Sequence, residues 1–263
     1  MGEPLEGKVA IVTGAGRGIG KAIAIAFGQA GARVVVTSRT PSTVDEVVAE
    51  IRKNGGEAIG VPTDVGDRAA VYGMVQKTVA AYGKLHILVN NAQSFGTAKN
   101  VKAAATYTPI VDTDEEEWEY TFRTGATATL WAMKAAFPHL KASGCGRVIN
   151  FGSSAGQRGQ EGLVCYNATK EAIRGITRTA AREWGQYGIT VNVICPWTET
   201  DSVASYKEAF PEDYEKILAQ VPVRRAGDSL KDIGPLLVFL AGDGASFLTG
   251  ATYNAEGGLN LWG

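Results

Sequence analysis

The chain is poor in the residues that build metal sites and disulfide frameworks, with three cysteines and two histidines among 263 residues. Cys145, Cys165 and Cys195 cannot all pair within the chain, and their spacing is typical of neither a disulfide framework nor a zinc site. His86 and His139 have no acids or thiols clustered beside them in the sequence. We therefore expect no bound metal and a reducing compartment, the cytoplasm.

Long apolar runs and an excess of charge of one sign are also missing. Residues 1–12 carry acids at Glu3 and Glu6, and no later stretch reaches the ~18 uninterrupted apolar residues of a membrane span. The 26 basic residues nearly balance the 27 acidic ones, so no broad positive field is available to bind nucleic acid. We expect a soluble protein without signal peptide or membrane anchor, whose partners are small molecules.

Short runs of β-branched residues alternate with longer helical patterns along the whole chain. Near-continuous apolar strands separated by helices predict a parallel sheet covered on both faces, because parallel neighbours need a crossover connection. The sequence therefore predicts an α/β fold, a single doubly wound Rossmann-type domain over residues 1–263. Its seven predicted strands are residues 9–13, 33–38, 58–62, 87–91, 147–151, 190–194 and 251–254.

Two stretches lack a clear period. Residues 93–111, rich in alanine and threonine, are predicted to form the longest loop. Residues 197–223 contain prolines around a possible helix at 212–220, and we expect this stretch to act as a substrate lid. Between them, Asp114 and Glu117 have the spacing of a capping box and predict the start of a helix.

The first predicted strand leads into a glycine-rich turn, TGAGRGIG at residues 13–20, which opens a helix. Gly14 permits a tight turn, Gly18 lets the backbone approach a phosphate, and Gly20 permits close helix packing. The free amides and partial positive charge of the helix N-terminus favour an anion there. Strand, turn and helix in this order predict a dinucleotide site. Its candidate pyrophosphate-binding residues are Gly14, Arg17, Gly18, Ile19 and Gly20.

The second predicted strand runs into Ser38 and Arg39, where many dinucleotide sites carry an acid that binds ribose hydroxyls. Arg39, with the arginine of the glycine turn, could hold a 2′-phosphate by paired hydrogen bonds, so NADP is favoured and NAD is the alternative. The sequence is also compatible with Arg39 as an ordinary solvated arginine beside an adenine. Asp64, with Val65 beside it, could hydrogen-bond the adenine, although an acid there could equally cap the helix starting near Asp67.

Tyr166 and Lys170 stand four apart in a helical pattern, so their side chains share one face. A tyrosine titrates near ~10, and an adjacent ammonium favours the phenolate, which would bring the pKa of the phenol toward the working pH. Lys170 could also hold a nicotinamide ribose. Ser153 follows the fifth strand at the carboxyl edge of the sheet, where its hydroxyl could bind a carbonyl oxygen. Ser154 competes for that role, and either serine could simply cap a turn.

These motifs occur in one arrangement along the chain: residues 13–20, Asn90-Asn91-Ala92, Ser153, Tyr166-x-x-x-Lys170, Arg225-x-Gly227 and the ending at 249–258. In that combination the chain closely resembles the short-chain dehydrogenase/reductase family over nearly its whole length. The resemblance implies an NAD(P)-dependent oxidoreductase, often a homotetramer, with a dimer as the smaller possibility. It implies that Tyr166 is the general acid/base, Ser153 orients substrate, Lys170 binds ribose and assists the tyrosine, and Asn90 lies beside that ribose.

The chain departs from the family's pattern at three places. Gly125 stands where the family usually has an asparagine, which holds a water that passes protons to the lysine. The Thr124 hydroxyl could take the place of that asparagine, but helical geometry turns its side chain about 100° away. Gln93 replaces the glycine that usually ends Asn-Asn-Ala-Gly, and could crowd the nicotinamide or bind substrate. The alternative for Gln93, and for the deletion described next, is loop variation without functional effect.

The third departure is an apparent deletion after Pro196, which leaves the segment Trp197-Thr198-Glu199-Thr200. Pro196 and Thr198 are carried as cofactor-binding candidates, because Thr198 or Thr200 could bond the carboxamide while Trp197 forms an apolar wall.

The residues and the resemblance together predict an enzyme that moves a hydride between a nicotinamide and a ketone or secondary alcohol. The apolar lid, Trp197 and Trp262 favour a hydrophobic or cyclic ketone, with 3-oxoacyl thioester reduction as the alternative. A protein of another class is also open, a catalytically weak dinucleotide sensor or scaffold, since Gly125 replaces a catalytic side chain.

Overall fold

The computed structural model describes residues 2–260, and within them the chain forms a parallel sheet and a separate hairpin. The strands are β1 (Val9–Thr13), β2 (Arg33–Thr37), β3 (Glu57–Gly60), β4 (Ile87–Asn90), β5 (Phe95–Gly96), β6 (Val101–Lys102), β7 (Arg147–Phe151), β8 (Thr190–Pro196) and β9 (Thr252–Ala255). Seven of them pair in parallel in the order β3-β2-β1-β4-β7-β8-β9, whereas β5 and β6 pair antiparallel. The predicted α/β fold with seven parallel strands is confirmed.

Helices connect the strands and cover the sheet. They are α1 (Gly18–Gln29), α2 (Pro41–Lys53), α3 (Arg68–Tyr82), α4 (Glu115–Phe122), α5 (Ala128–Ser143), α6 (Ser154–Arg158), α7 (Val164–Trp184), α8 (Asp201–Ala209), α9 (Pro211–Gln220) and α10 (Gly234–Ala241). The Asp114 carboxylate accepts the Glu116 amide at 2.7 Å, which confirms the predicted start of α4. A π-helical turn, Arg123–Thr127, joins α4 to α5.

The sheet separates two apolar cores because successive side chains of a strand point to opposite faces. In β1, Ala10 and Val12 pack into the core with α1, α2 and α10, whereas Ile11 packs into the core with α3 and α5. Burial of both faces explains why the strands are near-continuous apolar runs in the sequence.

The two irregular stretches contain more structure than their sequence predicted. Residues 93–111, expected as a loop, include the β5–β6 hairpin. In the stretch 197–223, α9 confirms the helix expected at 212–220, while α8 was not predicted. The rings of Tyr206 and Phe210 lie 5.3 Å apart at the junction of α8 and α9. Trp262, used above as a hint toward an apolar substrate, lies outside the described residues. Across residues 2–260, we find no helix with both the length and the apolar character needed to span a membrane.

Candidate active site

A cleft of about 1430 Å³, part of it open to solvent, lies where the carboxyl ends of β1 to β4 meet the start of α1. The sheet order reverses between β1 and β4, and such switch points are where open α/β sheets bind their ligands. The predicted cofactor residues that line the cleft are Gly14, Arg17, Gly18, Ile19, Gly20, Ser38, Arg39, Val65 and Tyr166.

The glycine turn has the backbone that its sequence requires. Gly14 and Gly18 have φ values of 66° and 54°, in the left-handed region that favours glycine. A Cβ on Gly20 would lie 2.3 Å from the Gly14 carbonyl oxygen, so a side chain there would push the turn away from α1. Arg17 is the N-cap residue of α1, and because a guanidinium only donates hydrogen bonds, its side chain cannot cap the helix amides. The first amides of α1 therefore suit an anion, as a dinucleotide pyrophosphate requires.

The polar end of the cleft lies beyond β2. The exposed guanidinium of Arg39 donates from Nη1 to the Tyr120 hydroxyl at 3.1 Å. Asp64 accepts the amide of Gly66 at 2.9 Å and does not line the cleft. The N-cap of α3 is Asp67, whose carboxylate accepts the Ala69 amide, so the helix cap considered for Asp64 is supplied by Asp67.

The reactive residues predicted from the sequence lie together beside this cleft. Ser153 is the N-cap of α6 and accepts the Ala155 amide at 3.2 Å, whereas Ser154 is the first residue of α6. Lys170, one helical turn after Tyr166 in α7, is 4% exposed. Its ammonium donates to the Phe151 carbonyl at 3.0 Å and lies 5.4 Å from the centre of the Tyr166 ring.

Burial decides the electrostatics of this group. Desolvation raises the pKa of the Tyr166 phenol, and its interaction with the Ser153 side chain opposes that shift. Desolvation also lowers the pKa of Lys170 from 10.5 to about 8. The sequence led us to expect a Tyr166 pKa moved toward neutrality by the ammonium. The structure differs because Tyr166 is partly buried at the wall of the cleft while the ammonium is engaged with a backbone carbonyl.

The loop after β4 contributes residues that sequence reasoning missed. Phe95, the first residue of β5, has its ring centre 5.5 Å from that of Tyr166, and lines the cleft together with Leu163. A smaller cavity of about 340 Å³, part of it open to solvent, is also lined by Phe95 and Tyr166, with Val164 and Cys165 among its other lining residues. No local pattern marked Phe95, because its place beside Tyr166 depends on how the β5–β6 hairpin packs against α4.

Several predicted residues lie outside the cleft. The side-chain amide of Asn90 is buried and donates to Asn150 at 2.8 Å. Pro196 does not line the cleft, and Thr198 is buried against Ser229, with 3.0 Å between the two hydroxyl oxygens. Of the two threonines considered for the carboxamide, the structure places Thr200 at the cleft.

The apolar wall expected from Trp197 is not part of the site either. Trp197 is half-buried, its amide donates to the Ala255 carbonyl at 3.0 Å, and it lines neither the cleft nor the smaller cavity. The apolar side chain beside Tyr166 is Phe95 instead.

Residues 2–260 contain no candidate metal site, since they hold no group of three or more histidine, cysteine, aspartate or glutamate side chains that could bind an ion. His86 accepts the Val9 amide through Nδ1 at 3.0 Å, and burial lowers its pKa. The imidazole of His86 thus serves the junction between β1 and β4.

Fold and cleft together define a Rossmann-type nucleotide-binding protein with a serine, a tyrosine and a lysine grouped at the cleft. Residues 14–260 match a family model described as enoyl-(acyl carrier protein) reductase. The chain is 36% identical over 261 residues to a 12alpha-hydroxysteroid dehydrogenase of Clostridium sp., covering 97% of each chain. It is 35% identical over 258 residues to the 3-oxoacyl-[acyl-carrier-protein] reductase FabG of Pseudomonas aeruginosa, covering 98% of this chain and 99% of the relative.

A solved structure from Beutenbergia cavernae, assigned as an NAD(P)-dependent gluconate 5-dehydrogenase and holding NADP at low occupancy, superposes with a TM-score of 0.88. It is 31% identical, and the alignment covers 98% of this chain and 99% of that one. The chain belongs to the short-chain dehydrogenase/reductase family and is an oxidoreductase with a nicotinamide dinucleotide cofactor.

Proposed function

We propose that the protein transfers a hydride between NADP(H) and a ketone or secondary alcohol, with Tyr166 as the general acid/base. The observation that carries this proposal is the grouping of Ser153, Tyr166 and Lys170 at the edge of a cleft built on a glycine turn, with the Lys170 ammonium 5.4 Å from the centre of the Tyr166 ring. A serine, a tyrosine and a lysine so placed can hold a carbonyl oxygen and exchange its proton.

Each of the three side chains has a distinct part in the reaction. The bound nicotinamide supplies the hydride in reduction and accepts it in oxidation. The Tyr166 hydroxyl donates its proton to the substrate oxygen in reduction, and Ser153 donates a hydrogen bond to that same oxygen. The phenol carries its proton at neutral pH, as an ordinary tyrosine does, and burial shifts the pKa of Tyr166 further upward. The Lys170 ammonium stabilises the phenolate left behind.

The preference for NADP over NAD rests on the polar end of the cleft. Ser38, Arg39 and Arg17 line it together, and Tyr120 holds the Arg39 guanidinium at the cleft's rim. A guanidinium can bind a 2′-phosphate through two charge-assisted hydrogen bonds, whereas the free hydroxyls of NAD offer it much less. Among the remaining cofactor candidates Val65 lines the cleft, whereas Asp64, Asn90, Pro196 and Thr198 do not and are proposed from the sequence and the family resemblance alone.

The substrate we favour is a hydrophobic or cyclic ketone, because Phe95 and Leu163 line both the cleft and the smaller cavity beside Tyr166. The 12alpha-hydroxysteroid dehydrogenase among the relatives supports this choice. The alternative is a 3-oxoacyl thioester, supported by the FabG relative and the description of the family model. A panel containing both substrate types, scored by kcat/KM, separates the two.

The domain organisation, cellular location and oligomeric state are proposed from the family and from the exposed surface. We propose that residues 1–263 act as one domain with residues 197–223 as its lid, in the cytoplasm, as a homotetramer or dimer. Exposed apolar side chains support assembly, since Phe247 is 99% and Val111 86% exposed in one chain. Light scattering on the purified protein would return a monomer mass if the assembly proposal is wrong.

The decisive experiment follows the absorbance of NADPH against the substrate panel. We expect Tyr166→Phe to keep NADPH binding and to lose about 10²–10⁴ in turnover, because the proton donor is gone. Tyr107→Phe is the matched control, since its hydroxyl bonds Glu161 on the surface at 2.8 Å. Full turnover by Tyr166→Phe would remove Tyr166 from the mechanism, and binding of NADPH without consumption of it would favour the sensor alternative.

A further inference from the structure

The guanidinium of Arg39 is held by a residue that the sequence did not single out. Its Nη1 donates to the hydroxyl of Tyr120 in α4, 3.1 Å away and 81 positions further along the chain. A guanidinium only donates hydrogen bonds, so the phenol oxygen is the acceptor. Arg39 is otherwise exposed, and this is its one side-chain hydrogen bond among the described residues. Tyr120 therefore sets where the charge of Arg39 lies.

A second contact places this end of α4 beside the part of the cleft that Arg39 lines. Thr124, one helical turn after Tyr120, donates from its hydroxyl to the Tyr120 carbonyl at 3.0 Å. A Cβ on Gly66 would lie 3.4 Å from Cγ2 of Thr124, and Gly66 directly follows Val65, which lines the cleft. The helix thus packs beside the turn after β3, next to the segment after β2 that carries Arg39.

The partner of Arg39 is a neutral phenol and not a carboxylate. Arg39 forms no ion pair with any described residue, although the first turn of α4 carries three acids at residues 115–117. A carboxylate partner would fix the guanidinium but would also offset its charge and repel an incoming anion. A phenol fixes the side chain and leaves its positive charge to attract a phosphate. Arg39 is therefore ordered without being neutralised.

The bond to Tyr120 also leaves the useful edge of the guanidinium open. It engages Nη1, whereas Nε and Nη2 of Arg39 have no partner among the described residues. These two groups form the planar fork that pairs with two oxygens of one phosphate. A free arginine loses rotamer freedom when it binds a ligand, which weakens the binding. A guanidinium that is already held loses less.

We propose that Tyr120 is a positioning residue for coenzyme selection, which orders the Arg39 guanidinium for the 2′-phosphate of NADP. The inference rests on the proposed preference for NADP and extends its basis to α4, a helix outside the glycine turn and the end of β2. Tyr120 does not line the cleft, so it acts through Arg39 and not on the coenzyme itself.

The first test measures the binding of two nucleotides by calorimetric titration. Adenosine 2′,5′-bisphosphate carries the 2′-phosphate, and adenosine 5′-monophosphate lacks it. We expect Tyr120→Phe to weaken binding of the bisphosphate about 3–10-fold and to change that of the monophosphate by less than about twofold, because the ring stays and only the hold on Arg39 is lost. Equal weakening of both nucleotides would show a general effect on the fold and would overturn the inference.

Tyr72→Phe is the matched control for this measurement. Tyr72 is also a helical tyrosine that contacts an arginine, with the Arg68 guanidinium 5.1 Å from its ring centre, and neither residue lines the cleft. We expect this variant to bind both nucleotides as the wild type does. A loss of bisphosphate binding as large as that of Tyr120→Phe would contradict a specific role for Tyr120.

The second test asks whether Tyr120 acts through Arg39. In an Arg39→Ala background, Tyr120→Phe should change the affinity for the bisphosphate by less than about twofold, since the hydrogen bond is already absent. A further loss of about 3–10-fold in that background would show that the two residues act independently, and would overturn the inference. In the enzyme, Tyr120→Phe should raise the KM for NADPH and leave kcat and the KM for NADH within about twofold of the wild type.

The outcomes separate the inference from the preference on which it rests. If Arg39→Ala loses the preference for the bisphosphate while Tyr120→Phe keeps it, only the role of Tyr120 is overturned. If the wild-type protein binds the two nucleotides equally well, the preference for NADP falls and the inference falls with it. Because nucleotide binding is measured without turnover, neither result depends on hydride transfer or on Tyr166.

Discussion

The buried ammonium of Lys170 makes the stability of the protein depend on pH in a direction that can be worked out. Burial lowers its pKa from 10.5 in the unfolded chain to about 8 in the folded protein. The unfolded chain binds this proton more tightly, so the charge destabilises the folded state fully below about pH 8 and less and less as the pH rises toward 10.5. Lys170→Met removes the titrating group and keeps an unbranched side chain.

At roughly 1.4 kcal/mol per pKa unit, lowering the Lys170 pKa from 10.5 to about 8 destabilises the folded state by about 3 kcal/mol at neutral pH. Of this, about 2 kcal/mol should disappear between about pH 7 and about pH 9.5. The variant also loses the hydrogen bond to the Phe151 carbonyl, worth about 1–3 kcal/mol, at both pH values. The prediction therefore concerns how the stability gap between wild type and variant changes with pH.

Urea unfolding at one protein concentration and at both pH values measures that gap. We expect the wild type to gain about 2 kcal/mol relative to Lys170→Met on going to the higher pH. Thr177→Val is the control, since it removes buried hydrogen bonds of the same helix but no titrating group, and its gap should stay constant. A gap for Lys170→Met that changes by less than about 0.5 kcal/mol would refute the reasoning, because the ammonium would then not be desolvated.

Three further substitutions test the cleft and the helix that borders it. Gly20→Ala should abolish NADPH binding, measured by calorimetric titration, and cost about 1–3 kcal/mol of stability, because its Cβ would meet the Gly14 carbonyl at 2.3 Å. Arg39→Ala should raise the KM for NADPH about 10–100-fold and leave that for NADH nearly unchanged; an equal effect on both would contradict 2′-phosphate binding. Asp114→Ala should lower the free energy of unfolding in urea by about 0.5–2 kcal/mol, since it removes the N-cap of α4, and an unchanged midpoint would contradict this.

Residues that act through their nearest neighbours in the chain could be predicted, whereas residues that meet across the fold could not. The capping of α4 by Asp114 was predictable, because a cap needs only amides two or three residues away. The choice between Thr198 and Thr200 was not, because it depends on Ser229, far along the chain, which engages Thr198. Gly125 was interpreted as a lost side chain until the fold placed the Gln93 amide 2.4 Å from its missing Cβ.

The sequence by itself determined the seven strands, the glycine turn, the α/β fold and the positions of Ser153, Tyr166 and Lys170 along it, since periodicity and backbone requirements are local. Only the tertiary structure decided the surroundings of these residues, namely the hairpin that sets Phe95 over Tyr166 and the burial that moves two pKa values. The physical reason is that desolvation and close packing are properties of all the atoms around a group. Those atoms come from segments that lie far apart in the chain and meet only when it folds.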